Sequence, residues 1–63
     1  MRFVRLNEAK PNKQTAIVYI NPDHVVAIRE LVGGTQIMLI DGNNIIVKEN
    51  LTTTVDALQG TKS

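Results

Sequence analysis

Few side chains in this sequence have reactive chemistry. Its single histidine, His24, stands beside Asp23, the residue types of an acid–base couple. In an extended segment neighbours point to opposite faces, so the two cannot share a proton. A nucleophilic set is equally thin. Besides Tyr19, the hydroxyls belong to threonines and Ser63, with one histidine to serve them all. Asp41-Gly42-Asn43 suggests calcium, but an EF-hand loop needs further carboxylates and a distal Glu at fixed spacing. Gly33-Gly34 does not run into a helix, as a phosphate loop does. The chain has no cysteine, which excludes disulfides and thiolate metal sites. One histidine cannot build a zinc cage by itself. The sequence therefore predicts no catalytic residue, no metal and no cofactor.

Charge and rings narrow the partners. Seven basic and six acidic residues leave a net charge of +1. That is no electrostatic footprint for nucleic acid or an anionic membrane. Arg2, Arg5, Lys10 and Lys13 gather near the N-terminus, but Arg2 and Arg5 fall on opposite strand faces. They read as a solvated rim. Phe3 and Tyr19 are the only aromatic residues, too few for a base-stacking platform. No apolar run approaches membrane-spanning length, and the first residues lack a signal-peptide pattern. The expectation is a soluble cytoplasmic protein, with nucleic acid not expected as a partner.

The elements follow from period and punctuation. Thr35 to Glu49 reads as a hairpin: two apolar, β-branched runs around Asp41-Gly42, with positive φ expected at both turn residues in a type I′ turn. Before it, residues 2–7 read as a first strand and residues 8–14 as a polar loop. Thr15 to Ile20 is a second strand. Asn21-Pro22-Asp23 is a tight turn, because Pro donates no hydrogen bond and Asn and Asp bond to nearby backbone. His24 to Leu31 is a third strand, and Gly33-Gly34 a further turn. After Glu49 the period lengthens. Leu51, Val55 and Leu58 form one helical stripe, with Asn50 as N-cap and Gly60 just past the end. The sum is a mainly β chain: a β-meander of about five antiparallel strands, open or coiled into a small barrel, with one short C-terminal helix. It is one small domain over residues 1–60, with 61–63 as a frayed tail.

These strands are apolar on both faces. Val18, Ile20, Val26, Ile28, Ile37, Leu39, Ile45 and Val47 form one set. Ile17, Val25, Met38, Ile40 and Ile46 form the other. One short helix covers one face. Each Val, Leu or Ile left in water forgoes roughly 1.5–3 kcal/mol of burial. A chain of 63 residues is marginal alone, and without disulfides or metal its remaining staple is oligomerisation. Either the sheet closes into a barrel, or a second copy covers the second set, making Ile17, Val25, Met38, Ile40 and Ile46 the expected homo-oligomer interface. The two sheet edges also invite pairing. Arg29, Glu30, Lys48 and Glu49 are placed to pair across the third and fifth strands or across copies.

Three stretches together resemble the small flagellar FlbD/SwrD family of short motility proteins. They are Arg5-Leu6-Asn7 at a strand end, Asn21-Pro22-Asp23 with the alternating aliphatics to Ile28, and Thr35-Gln36-Ile37-Met38-Leu39 with Asp41-Gly42 and Val47-Lys48-Glu49. Glu8 stands where that family usually has Gly, and Asn50 where it has Ser. The resemblance implies a non-enzymatic, cytoplasmic bacterial protein supporting flagellar motility, with motor or stator proteins as partners. His24 to Leu58 is also similar to the strand-rich part of LytTR-type DNA-binding domains, which implies a nucleic-acid-binding regulatory module as the alternative.

Overall fold

In the computed structural model, which describes residues 2–60, the chain forms five strands and one helix. The strands are β1 (Val4–Ala9), β2 (Thr15–Ile20), β3 (Val25–Leu31), β4 (Gly34–Leu39) and β5 (Asn44–Val47), and the helix is α1 (Leu51–Gln59). The frayed-tail expectation for 61–63 lies outside the described residues. All five strands pair antiparallel in one sheet, in the order β2-β1-β5-β4-β3. The expected mainly β class, with its C-terminal helix, is what the chain adopts. The sheet is not closed into a barrel: β2 and β3 are its two edges, joined only through Asn21 and the 3₁₀ turn Pro22–His24. β1 and β5, far apart in sequence, are neighbours.

That order divides the sheet into two parts. β1 and β2 form a long regular hairpin from Val4↔Ile20 to Ala9↔Thr15. β3, β4 and β5 form a second unit. The two units meet at Glu8↔Val47. The core joins Val4, Leu6 and Ile20 of the first unit to Ile37 and Val47 of the second, with Ala57 and Leu58 of α1 packed against them. Asn50 caps α1 by accepting the Thr53 N–H at 2.8 Å, and Gly60 ends it in the left-handed region at φ 68°. Thr54 is fully buried, alongside the expected stripe of Leu51, Val55 and Leu58.

Several expected details differ, each for a physical reason. β1 runs on to Ala9, so the polar loop shrinks to Lys10–Gln14, where Asn12 takes a positive φ of 65°. The β4–β5 turn is not type I′. Gly42 N–H donates to Leu39 O at 2.9 Å, so Ile40 and Asp41 are the central residues and Gly42, at φ 93°, follows them. This is the three-residue loop with a glycine bulge, which suits strand twist as a primed turn does. The Asp41 carboxylate fixes it by accepting from Asn43 N–H and Nδ2. The β3–β4 connection is Val32-Gly33 rather than Gly33-Gly34, since Leu31 pairs with Gly34. Gly34 is needed for another reason: a Cβ there would run into the Val47 carbonyl oxygen.

A bulge between Val25 and Ala27 changes the face assignment of β3. The extra residue reverses the alternation. Val25 and Ile28 therefore pack against the core, while Val26 is 62% exposed. Val25 is thus not part of an outer apolar face. Cross-strand charge pairs between β3 and β5 do not form either, because β4 lies between them.

Candidate interaction surface

The motif residues converge on one corner, where β1 meets β5. Lys48 N–H donates to Asn7 O at 2.7 Å. The Asn7 N–H, which a regular ladder would send to the Lys48 carbonyl, goes to the Glu49 carboxylate at 3.1 Å to each oxygen. Asn7 Nδ2 adds a bond to Glu49 Oε2 at 2.9 Å. Thr35 Oγ1 donates to the Glu49 backbone carbonyl at 2.9 Å. Asn7 comes from the first motif stretch and Thr35 and Glu49 from the third, and here they hold the two halves of the sheet together. Their work is structural. Arg2 is exposed, as a rim charge is, and its guanidinium also donates to Leu58 O at 2.6 Å and Ala57 O at 3.4 Å, at the negative end of α1.

The opposite corner, where β2 and β3 part, is open. A cleft of about 250 Å³ lies there. Ile20, Leu39 and Ile45 form its apolar floor, and Phe3, Tyr19, Asn21 and His24 complete its lining. Asn21 shapes the turn beneath it, accepting the Asp23 N–H at 3.0 Å on its side chain and the His24 N–H at 2.9 Å on its carbonyl. Asp23 and His24 are both exposed on that turn. Phe3 is 57%, Tyr19 62% and Ile17 54% exposed, so both aromatic rings of the chain stand at this corner with β2.

The other members of the expected interface lie on β2, β4, β5 and the turn between the last two. Ile46 and Ile40 are exposed and Met38 is half-buried. Met38 pairs with Asn44 and Ile46 with Gln36, so polar side chains alternate with apolar ones across β4 and β5. Ile17 sits two strands away from β5. Met38 and Ile46 are diagonal neighbours on β4 and β5, while Ile40 lies in the turn after β4. Sequence reasoning did not bring Phe3 and Tyr19 together; the signal available was that both rings fall at the same end of the first hairpin.

The two edges differ in kind. β3 carries a bulge and the adjacent charges Arg29 and Glu30, devices that discourage edge pairing. β2, Thr-Ala-Ile-Val-Tyr-Ile, has no charge, proline or glycine and alternates regularly in burial. Among the described residues, no cluster of three or more His, Cys, Asp or Glu is placed to hold a metal, and no helix is long and apolar enough to cross a membrane.

Compared with models of known protein families, with curated proteins and with solved structures, the chain matches none.

Proposed function

We propose that this chain is a non-enzymatic protein-binding and assembly module whose first partner is its own copy. The observation that carries the reading is the open corner. From there runs an uncharged, regular edge strand, β2, which carries Tyr19 at the corner, with Phe3 beside it, and Ile17 further along, opposite Asn7; all three are more than half exposed. A small domain has little stability to spare, and such an edge is a template for another strand. The motifs Arg5-Leu6-Asn7, Asn21-Pro22-Asp23 and Val47-Lys48-Glu49 extend the proposal to cytoplasmic support of a bacterial flagellar motor or its stators. That extension rests on the sequence resemblance alone.

Light scattering across a dilution series tests the assembly reading. The expected result is a mass above the monomer at high concentration that falls on dilution. A mass fixed at the monomer throughout contradicts it. Duplex DNA is the discriminating ligand. Binding that weakens steeply with salt reports phosphate contacts and replaces this reading with the nucleic-acid one. Deleting the gene in its host tests the motility extension: impaired swimming supports it, and normal swimming removes it without touching the assembly module.

A further inference from the structure

The geometry points to a specific mode of assembly, which rests on the self-association reading: two copies pair antiparallel through β2, with Val18 on the two-fold axis. The phase of the β1–β2 ladder decides which backbone groups are free. Lys10 N–H donates to Gln14 O at 3.0 Å, marking that opposed pair as a hydrogen-bonded one. Bonded and non-bonded pairs alternate along an antiparallel ladder. Ala16, Val18 and Ile20 therefore direct their N–H and C=O groups to β1, through Glu8, Leu6 and Val4. Thr15, Ile17 and Tyr19 direct theirs outward, to the open edge.

The strand is complementary to itself. The outer faces of the two sheets continue into each other only if odd-numbered residues oppose odd-numbered ones, and the free backbone groups belong to the odd-numbered residues. Placing Val18 opposite its own counterpart satisfies both conditions. Ile17 then faces Tyr19 of the second copy, and Tyr19 faces its Ile17, each pair exchanging both backbone bonds. An aromatic residue opposite a β-branched one is a favourable cross-strand pair. Ala16 faces Ile20 on the inner side, a small residue against a large one. No like charges meet, because β2 has none. The occupant is a second copy because the outer row of β2, Ile17 and Tyr19, is its own complement when reversed. The β3 edge has no equivalent register. Its bulge breaks the alternation, and Arg29 and Glu30 interrupt its apolar row. The assembly is a closed dimer with one continuous sheet through both copies, an isologous contact that uses up the β2 edge and leaves the β3 edges at the two ends.

The test uses the full chain, which has no native cysteine. Val18→Cys under mild oxidation is expected to give a covalent dimer, because a non-bonded antiparallel pair brings two Cα atoms within disulfide range. Ile28→Cys on the β3 edge is expected to stay monomeric on a denaturing gel. Ile17→Pro removes an outward N–H that the monomer does not use, and proline is tolerated at such edge positions. It is expected to weaken association at least tenfold in light scattering while the circular dichroism of the fold is retained. If Ile17→Pro unfolds, the Val18→Cys cross-link decides alone. An associating wild type whose Val18→Cys variant fails to cross-link overturns the edge pairing and leaves the assembly reading standing. A wild type that is monomeric at every concentration overturns both.

Discussion

The two corners of this sheet are built in opposite ways. At the β1–β5 corner, Thr35 and Val47 are fully buried, Gly34 lets two backbones approach, and the Glu49 carboxylate accepts the N–H that the ladder leaves over. At the β2–β3 corner the strands part over a cleft, and the largest side chains lie half in water. The closed corner uses the polar groups of Asn7, Thr35 and Glu49 internally. The β2 edge that leads away from the open corner keeps a row of free backbone donors and acceptors beside its apolar row. In the proposed pairing, stability and association are carried by different residues, and substitutions should separate them.

The largest effect is expected at the closed corner. Gly34→Ala forces a methyl group against the Val47 carbonyl oxygen, and since both are backbone-anchored the strands must move. Overpacking of this kind costs about 3 kcal/mol, read as a lowered midpoint in denaturant titration. A midpoint unchanged from wild type would mean that the close approach of β4 to β5 is not obligatory. Glu49→Ala comes next. It leaves the part-buried Asn7 N–H without its acceptor, at a cost of about 2 kcal/mol. If Glu49→Ala lowers dimer affinity more than it lowers monomer stability, the separation between the corners is wrong.

The smallest change acts through the helix and has the opposite sign. Thr54 is fully buried, and its hydroxyl has no hydrogen-bond partner in the structure. Thr54→Val keeps the shape and removes the desolvated oxygen, so stability should rise by about 1 kcal/mol, seen as a higher melting temperature. Association should be unaffected. A fall in melting temperature would show that the hydroxyl is satisfied in solution, and would make Thr54 part of the closed corner's polar network.

The local features of the fold were readable because they depend on adjacent residues. Asn50 and Gly60 bracket the helix, Asn21 folds its own turn, and β1 and β2 follow their alternation. What could not be read depends on residues distant in sequence. Nothing local pairs β1 with β5, so neither the Asn7–Glu49 clamp nor the use of Arg2 on the helix end was visible. The bulge after Val25 was hidden by a run of aliphatics, Val25-Val26-Ala27-Ile28, that fits either phase equally well. One inserted residue then moved Val25 from the expected interface into the core packing. Gly34 was legible as a glycine but not as a contact. Its partner, Val47, lies on a strand whose position only the whole sheet defines. The expected interface was a face because both faces looked apolar. Register showed that Gln36 and Asn44 interrupt one of them, and that β2 is an edge.

The most direct measurement is amide hydrogen exchange, resolved by residue and followed over dilution. The Ile17 and Tyr19 amides are expected to be protected at high concentration and to lose that protection as the protein is diluted. The Ile28 and Glu30 amides on the β3 edge should exchange at the same rate throughout, because the ladder phase on that side leaves them facing water in both states. Ile17 and Tyr19 amides that exchange rapidly at every concentration, in a protein that light scattering shows to be associated, would contradict the edge pairing.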